Sequence, residues 1–440
     1  MSTIFAQASG AGRAGVAVVR ISGPRVPDIL KKIAGVLPPP RVATLASLKN
    51  PLSGITIDRA LVLYFPAPHS FTGEDVAECH IHGSRAVMSA LARALHHCGA
   101  RLAEAGEFTR RAFDNDKLDL TEVEGLADLL AAETEAQRVQ ALRLLEGDLR
   151  RVVDGWHGRL KKILAHTEAA IDFTDDESIP TDLQEQQHLK LEKLHDEIKL
   201  FLADARKGER RRDGFHIAIV GAPNAGKSSL LNVLAQRDVA IVSPTPGTTR
   251  DVLEVYLDLG GYAVVLADTA GLRETTDAIE DEGIKRARAR AQDADMVVLM
   301  VDAADSAGQT MPSHCRSHPD QLMVVMNKID VCAAPTSWHG HRAFGLSLKT
   351  REGLDHFLQA LTQRVAHQLQ QGAAPSLTRE RHREILGDVA AHLERGMQAP
   401  SAELQAEDIR LAMRSLGRMT GHVDTDDLLD IIFRDFCLGK

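Results

Sequence analysis

The stretch HIAIVGAPNAGKSSLLNVL, from His216 to Leu234, constrains the fold of this chain more than any other. The apolar residues from His216 to Val220 predict a strand, and the pattern G-x-x-x-x-G-K-S from Gly221 to Ser228 leads into a helical sequence. In that setting the glycines let backbone N–H groups turn towards phosphate oxygens, and the helix N-terminus favours negative charge. The stretch therefore predicts a phosphate-binding P-loop.

Individual P-loop side chains have expected roles in binding and hydrolysis. Lys227 is expected to reach the outer phosphates and to act in catalysis, and the Ser228 hydroxyl is expected to bind Mg²⁺. Asn224 is a candidate for seating a monovalent cation, which would neutralise charge that develops on the phosphates. The other loop residues assigned to the nucleotide are Ala225, Gly226 and Ser229.

Two later segments indicate that the nucleotide is GTP and not ATP. The strand-like QLMVVM leads into Asn327-Lys328-Ile329-Asp330, whose Asp330 carboxylate can accept two hydrogen bonds from guanine. Adenine lacks that donor pair and would leave the carboxylate unpaired. The strand-like YAVVLA ends in a D-x-x-G segment, in which Asp268 faces the Mg²⁺ shell and Gly271 senses the terminal phosphate. The remaining residues assigned to these nucleotide contacts are Thr269, Ala270, Ser347, Leu348 and Lys349.

The residue that orients the attacking water is not obvious from the sequence. Many GTPases use a Gln immediately after D-x-x-G, but this chain has Leu272 there. Glu280 is a candidate for that role, and it is equally consistent with a solvated acid at a helix start. In the segment SPTPGTTRD, Thr249 is expected to bind Mg²⁺, with Gly247 and Thr248 before it.

The pattern of apolar and polar residues changes several times along the sequence, which predicts a multidomain α/β plus α chain. Residues 1–117 read as mixed α/β, 118–213 as amphipathic helices that end in a charged linker (RKGERRRDG), 214–370 as an α/β domain with a mainly parallel sheet, and 371–440 as helices again. The interpretation we favour is one helical domain in two pieces, with the α/β domain inserted between them. The alternative is two separate helical domains.

The composition limits the compartment and the partners. The net charge is -9, from 52 Lys and Arg against 61 Asp and Glu, so contact with RNA is expected through a local patch or a partner. The 5 cysteines are scattered, without a C-x-x-C pair, which is typical of reduced thiols in a cytosol. The N-terminus lacks a signal pattern and no apolar run is long enough to cross a bilayer. We therefore expect a cytoplasmic protein that does not contact a membrane.

Two cysteine-containing stretches raise separate hypotheses. The C-terminal FCLGK is a poor prenylation box because Gly439 and Lys440 occupy positions that favour aliphatic or small residues. Cys437 is then either a packed small hydrophobe or part of a working site. The stretch CHIH at 79–82 suggests a metal site, but Cys79 and His80 would point to opposite faces of a strand, which argues against it.

Several motifs together resemble one family along essentially the whole chain. They are GAGRAGVAVVRISG, SFTGEDVAECHIHG and GEFTRRAFDNDKLDL near the N-terminus, the GTPase segments described above, and the terminal FCLGK. In combination they are similar to the tRNA-modification GTPase family called MnmE or TrmE. Plain GTPases lack the N-terminal motifs and the Cys-x-Gly-Lys terminus.

The resemblance implies an architecture and a reaction. It implies an N-terminal α+β folate-binding domain that forms a homodimer, a split helical domain, and an inserted Ras-like P-loop GTPase domain. It further implies a heterotetramer with an FAD-carrying flavoprotein of the MnmG or GidA type. This complex would add an aminomethyl or carboxymethylaminomethyl group to carbon 5 of the wobble uridine of certain tRNAs. The one-carbon unit would come from 5-formyl- or methylene-tetrahydrofolate, and GTP hydrolysis would depend on K⁺ and on dimerisation of the GTPase domains.

The resemblance also assigns residues by position. It places the folate contacts on Arg20, Glu78, Lys117 and Lys440, the general base on Glu280, and the Mg²⁺ ligands on Ser228 and Thr249. It places the K⁺ ligands on Asn224, Ser243, Thr245 and Thr248, in a loop where Pro244 and Pro246 depart from the family pattern.

Two alternatives remain at this point. Cys437 is either a nucleophile towards the uridine or the carbon unit, activated by the nearby lysine, or a structural or redox thiol. The whole chain is either the modifying enzyme or a regulatory GTPase switch in RNA assembly whose N-terminal domain only dimerises.

Overall fold

The computed structural model describes residues 2–172, 183–237, 239–241, 254–268, 294–306, 310–312, 321–370, 377–421 and 439 of the chain. The chain divides into two compact units. The first unit consists of Met1–Ala127, Leu144–Thr181 and Gln398–Lys440, and the second of Asp128–Arg143 and Asp182–Met397.

The first unit is built on an almost entirely antiparallel sheet. Its strands are β1 (Ile4–Gln7), β2 (Ala14–Ser22), β3 (Thr44–Lys49), β4 (Thr56–Phe65), β5 (Val76–Gly83) and β6 (Arg101–Leu102). They lie in the order β3-β4-β5-β2-β1-β6, and the pair β1 and β6 is parallel. The strands predicted from VAVVRIS and ALVLYF are confirmed as β2 and β4.

Helices alternate with these strands and continue beyond them. They are α1 (Val26–Ala34), α2 (Arg85–His97), α3 (Glu107–Asp114), α4 (Leu120–Ala131), α5 (Glu135–Leu145), α6 (Asp148–Asp172), α7 (Leu183–Ala203) and α8 (Ala205–Asp213). Ser84 begins α2 as its N-cap by accepting a hydrogen bond from the Val87 N–H, which satisfies one of the free donors of the first turn.

One face of the first sheet packs against α1 and α2. Because side chains alternate along a strand, every second residue of β2 and β5 faces this core. The buried members include Val19, Ile21, Ile29, Leu30, Cys79 and Leu95. The opposite face therefore carries Arg20 and Glu78, and it is the face that bears the second candidate site.

The second unit contains a mainly parallel sheet, as the sequence predicted. Its strands are β7 (Phe215–Gly221), β8 (Glu254–Leu259), β9 (Tyr262–Asp268), β10 (Met296–Asp302), β11 (Leu322–Asn327), β12 (Ser337–Trp338) and β13 (His341–Gly345). Their order is β12-β13-β11-β10-β7-β9-β8, with antiparallel pairs at both edges. The helices α9 (Lys227–Ala235) and α10 (Leu354–Leu369) pack on one apolar face of this sheet.

Helices from before and after the second sheet pair with each other. In the first unit α6 packs against α12 (Ala402–Thr420), and in the second unit α7 packs against α11 (Glu380–Met397). Each pair joins chain segments separated by the whole parallel sheet. This pairing favours an inserted α/β domain over two separate helical domains. The domain boundaries themselves remain a prediction.

The charged linker predicted between the helices and the second sheet is wrong. Residues Ala205–Asp213 form α8, which ends at Gly214 with a φ of 100°. The helix forms because Gly208 and Arg211 are buried within the second unit, so this segment has an inner face despite its charge. Tertiary burial therefore outweighs the polar composition that predicted a linker.

Candidate functional site

The P-loop connects β7 to α9 in the strand–loop–helix arrangement that the sequence predicted. The Lys227 ammonium group lies inside this loop and donates hydrogen bonds to the carbonyl oxygens of Gly221 and Ala222, both at 2.9 Å. Lys227 is 7% exposed. Its charge is thus held where the loop would surround the phosphates, and nearby backbone carbonyls offset the cost of burial.

Asn327 ties the P-loop to the guanine-binding segments. Its side-chain amide donates to the Ala225 carbonyl at 2.8 Å, and its side-chain oxygen accepts from the Leu348 N–H at 3.3 Å. Gly226 permits this approach, because a Cβ at that position would overlap the Asn327 amide and its φ of 105° disfavours other residues. The P-loop, the segment that begins at Asn327 and the segment that contains Leu348 therefore meet at one edge of the sheet.

The Asp330 carboxylate is oriented by Ser347. The Ser347 hydroxyl donates to Asp330 Oδ1 at 2.6 Å and accepts from the Thr350 N–H at 3.2 Å. Ser347 is fully buried whereas Asp330 is exposed, so the carboxylate is fixed on the side of Ser347 and open to a ligand on its other side. This geometry suits a carboxylate that accepts hydrogen bonds from a base edge.

Lys328 has a partner that the sequence reasoning missed. Its ammonium group donates to Asp302 Oδ2 at 2.6 Å, and Asp302 is the last residue of β10. The hydrogen bond from Lys328 holds the pKa of Asp302 below its usual range. The signal in the sequence was an aspartate directly after the apolar run MVVLMV, at the same sheet edge as the P-loop.

The other residues predicted to contact the nucleotide differ in their exposure and in the elements that carry them. Asn224 is exposed and adopts a left-handed backbone with a φ of 63°, and Ser228 and Ser229 are exposed in the first turn of α9. Leu348 packs against the apolar core, Lys349 is exposed, and Asp268 ends β9. The predictions for Ser243, Pro244, Thr245, Pro246, Gly247, Thr248, Thr249, Thr269, Ala270, Gly271, Glu280, Cys437 and Lys440 lie outside the described residues.

Arg20 and Glu78 meet on the open face of the first sheet. They are directly paired between β2 and β5, and Arg20 donates two hydrogen bonds to Glu78 Oε1, from Nε at 3.1 Å and from Nη2 at 3.0 Å. The guanidinium also lies 5.3 Å from the Phe71 ring centroid and 5.9 Å from that of Phe108. Glu78 Oε2 lies 3.4 Å from His80 Nε2.

This ion pair borders a cavity of about 230 Å³ in the first unit. The lining residues are Arg20, Arg41, Phe65, His69, Ser70, Phe71, Val76 and Glu78. Two aromatic rings and two arginines beside one carboxylate suit a flat ligand that has hydrogen-bond donors on one edge and negative charge elsewhere. Lys117 is exposed and is not among these lining residues.

The loop that presents Phe71 to this cavity is held by a polar network. The Ser22 hydroxyl lies 2.8 Å from the Thr72 hydroxyl and donates to Glu74 at 2.7 Å. Arg111, which is 7% exposed, donates to the same Glu74 oxygen at 2.8 Å. Because these polar groups have buried partners, the backbone around Phe71 is fixed by side chains far from it in sequence.

A second anchor lies at the other end of the same loop. Asp75 accepts hydrogen bonds from the Tyr64 hydroxyl at 2.8 Å and from the Ala67 N–H at 3.1 Å. Burial and this hydrogen bond raise the pKa of Tyr64 to about 12. Tyr64 therefore stays protonated and keeps donating throughout the neutral range.

The C-terminal segment reaches the same unit at Gly439. This residue is buried against the end of β1, where an added Cβ would overlap the Gln7 carbonyl and the Ala8 backbone. The neighbouring Ala6 pairs with Arg20 in the sheet. Gly439 thus lies beside a strand that neighbours the one carrying the cavity-lining Arg20.

The CHIH stretch does not form a metal cluster. Cys79 is fully buried in the core, and burial raises the pKa of its thiol to about 12, whereas His80 faces the open side of the sheet. His82 instead lies 2.8 Å from Asp58. Within the described part of the chain, no group of three or more potential ligands could hold a metal ion.

The fold and the site together define a class of protein. Because β7 and β11 both run parallel to β10 in one sheet, the P-loop and the Asn-Lys-x-Asp segment follow strand ends on the same edge. A parallel sheet with these two segments is a P-loop guanine-nucleotide-binding protein. This confirms the predicted α/β GTPase domain.

Comparison with known proteins identifies the family. A family model described as "GTP-binding protein TrmE N-terminus" matches residues 3–117, and one described as "MnmE helical domain" matches residues 120–437. The chain belongs to the MnmE (TrmE) family of tRNA modification GTPases. The resemblance predicted from the sequence motifs is thereby confirmed.

Three relatives illustrate the extent of the similarity. The tRNA modification GTPase MnmE of Parvibaculum lavamentivorans is 52% identical over 446 residues, and the match covers 100% of both chains. The tRNA modification GTPase MnmE of Rhodospirillum rubrum is 50% identical, also over 100% of both chains. A Danio rerio protein named 5-taurinomethyluridine-[tRNA] synthase subunit GTPB3, mitochondrial, is 46% identical over 100% of this chain and 93% of its own.

None of the helices in the described ranges is both long and apolar enough to cross a bilayer.

Proposed function

We propose that this protein hydrolyses GTP and, with a flavoprotein of the MnmG or GidA type, adds a (carboxymethyl)aminomethyl group to carbon 5 of the wobble uridine of certain tRNAs. The one-carbon unit would come from a tetrahydrofolate. The observation that carries this proposal is the Arg20–Glu78 pair on an aromatic-lined cavity, in a unit separate from the guanine-nucleotide site. The name of the Danio rerio relative, a uridine-modifying synthase subunit, supports the same class of reaction.

The nucleotide half of the proposal rests on charges and hydrogen bonds already in place. Lys227 supplies the positive charge for the outer phosphates, and the exposed Ser228 supplies a hydroxyl oxygen for Mg²⁺. Asp330, held by Ser347, accepts the two donors of guanine. Bound Mg²⁺ would neutralise phosphate charge that develops during hydrolysis.

The folate half of the proposal rests on the chemistry of the cavity. The edge of a pterin ring carries N–H donors that a carboxylate such as Glu78 accepts, and its flat face suits Phe65 and Phe71. Arg20 holds this carboxylate in position through two hydrogen bonds to one oxygen. The tetrahydrofolate would supply the carbon unit, and the residues here would bind and orient it.

The C-terminal residues complete this half of the proposal. Gly439 packs beside β1, in the unit that holds the cavity. We propose Lys440 and Lys117 as further folate contacts. Cys437 is proposed as a nucleophile, with a structural or redox thiol as the alternative.

The remaining parts of the proposal concern hydrolysis and assembly. We propose Glu280 as general base, and K⁺ bound by Asn224 with Ser243, Thr245 and Thr248. The protein is proposed to act as a cytoplasmic homodimer, in a heterotetramer with the flavoprotein, which alone carries FAD.

The folate proposal predicts a large effect of Glu78→Gln. The full-length wild type should bind 5-formyltetrahydrofolate in an equilibrium titration, and the variant should bind it about 30-fold or more weakly, because a neutral amide replaces the charged acceptor. Mass analysis of wobble uridines should show loss of modification in cells whose sole copy is Glu78→Gln. Glu104→Gln, which alters an exposed carboxylate of the same unit, is the matched control.

The results of this experiment separate two readings of the chain. GTP hydrolysis should be retained by Glu78→Gln, since that residue lies in the other unit. If the wild type does not bind folate, the modifying-enzyme proposal is wrong and the regulatory switch is the better interpretation. If the wild type binds folate and the variant modifies tRNA normally, the folate role assigned to Glu78 is wrong.

The cation proposal predicts a dependence on the salt used. The rate of GTP hydrolysis should rise at least about tenfold when KCl replaces NaCl at equal ionic strength, because a fitted cation stabilises charge on the phosphates. Asn224→Ala should remove most of that difference. Equal rates in the two salts would rule out a role for Asn224 and its loop in K⁺ activation.

A further inference from the structure

Arg41, which the sequence did not single out, has an unusual backbone conformation beside the cavity. Its φ is 62°, in the left-handed region that residues other than glycine rarely adopt. The conformation is fixed at two points, since the Arg41 N–H donates to the Tyr64 carbonyl at 2.8 Å and Nη2 donates to the His69 carbonyl at 2.5 Å. Such strained residues persist where the surroundings over-determine them, and they concentrate at ligand sites.

The guanidinium of Arg41 brings positive charge to the cavity. It lies 5.5 Å from the Phe65 ring centroid and lines the cavity with Arg20 and Glu78. Arg20 is neutralised by Glu78, whereas the side-chain partner of Arg41 is the neutral His69 carbonyl. Among the described residues no carboxylate pairs with Arg41. The positive charge of the cavity is therefore concentrated at this residue.

The sheet places the two arginines on opposite sides of the cavity. β5 lies between β2, which carries Arg20, and β4, which ends at Phe65 beneath Arg41. Neighbouring strands are separated by about 4.8 Å, so β2 and β4 are roughly 10 Å apart. A ligand whose donor edge binds Glu78 would thus extend past Phe65 towards Arg41.

We propose that Arg41 binds the carboxylates of the folate tail. Through this contact the site binds reduced folates with several γ-linked glutamates more tightly than reduced folates with one. The inference rests on the proposed folate function and adds a specificity residue to it. Since the cavity holds about 230 Å³, it accommodates the ring end of a folate, and the tail emerges at the exposed Arg41. An RNA phosphate is the less favoured occupant, because Arg41 is fixed against Phe65 as part of the cavity lining.

The variant Arg41→Gly tests this inference cleanly. Glycine adopts a positive φ without strain, so the substitution removes the guanidinium without distorting the backbone. With the full-length protein, we expect the wild type to bind 5-formyltetrahydrofolate pentaglutamate at least about tenfold more tightly than the monoglutamate. Arg41→Gly should lose about tenfold or more in affinity for the pentaglutamate. Both proteins should bind 6-methyltetrahydropterin, which has no tail, equally well.

The control variant is Arg59→Gln, which removes one positive charge from the same strand that ends at Phe65. Arg59 is exposed and is not among the cavity-lining residues described. The affinity of the Arg59→Gln protein for the pentaglutamate should therefore equal that of the wild type. Unchanged pentaglutamate affinity in Arg41→Gly, or no preference of the wild type for the longer tail, would overturn the role of Arg41 while leaving the folate proposal intact. Absence of folate binding by the wild type would instead refute both. If Arg41→Gly lowers tRNA affinity and leaves folate affinity unchanged, the residue contacts RNA.

Discussion

Asp330→Asn should lower the affinity for GTP by about 10³-fold, because one guanine donor then faces the N–H₂ group of the Asn amide and the other loses its charged acceptor. The same variant should bind xanthosine triphosphate better than GTP. Xanthine carries a carbonyl where guanine carries its amino group, so it accepts from the Asn side-chain amide. The Asn side-chain oxygen can still accept from the Ser347 hydroxyl, which lies 2.6 Å from Asp330 Oδ1, so the loop geometry is retained.

The measurement is a competition titration of the two triphosphates against a fluorescent GDP analogue. Asp355→Asn is the matched control, because Asp355 is an exposed carboxylate of the same unit whose ion pair with Arg237 at 2.8 Å contributes little at a surface. Its preference for GTP should equal that of the wild type. An Asp330→Asn protein that still prefers GTP would show that another group distinguishes guanine from xanthine.

Lys227→Ala should reduce kcat/KM for GTP hydrolysis by about 10²- to 10³-fold. The ammonium group is already inside the P-loop, on the carbonyls of Gly221 and Ala222, so nucleotide binding does not need to bring it in from solvent. Its loss removes a pre-placed positive charge from the loop that would hold the outer phosphates, where negative charge develops. The measurement is steady-state phosphate release over GTP concentrations below and above KM, at saturating K⁺.

The control for this variant is Lys190→Ala, which removes an exposed lysine of α7 in the same unit. It should hydrolyse GTP at the rate of the wild type. Thermal unfolding of both variants checks the fold, because the Ala at position 227 leaves two carbonyls without their donor. A properly folded Lys227→Ala protein with hydrolysis within threefold of the wild type would exclude the assigned role.

The nucleotide site could be predicted from short stretches because its geometry is largely local. The P-loop needs one strand, one glycine-containing turn and one helix in direct succession, and these occur within Phe215–Gly221 and Lys227–Ala235. The sequence did not predict the hydrogen bonds that hold the segments of the site together. The Asn327 hydrogen bond to Ala225 and the Lys328 hydrogen bond to Asp302 join distant segments, and only the packing of parallel strands brings them together.

The segment predicted as a linker, which forms α8, shows that composition alone does not predict whether a charged segment is helical. RKGERRRDG has the charge of a solvated connection, and the sequence contains no sign that Gly208 and Arg211 are covered. Burial depends on neighbours far along the chain. A polar segment is therefore helical or extended according to what packs on it.

The sequence by itself determined the class of protein, its nucleotide and its family, because each rests on residue types at fixed short spacings. The family resemblance assigned Arg20 and Glu78 to a second site, but only the tertiary structure shows how that site is assembled. Arg20 and Glu78 become partners through the register of β2 and β5, and Phe71 and Arg41 reach the same cavity from loops without periodicity. A pocket made by strand pairing and loop closure has no local pattern, since its residues are neighbours in space and not along the chain.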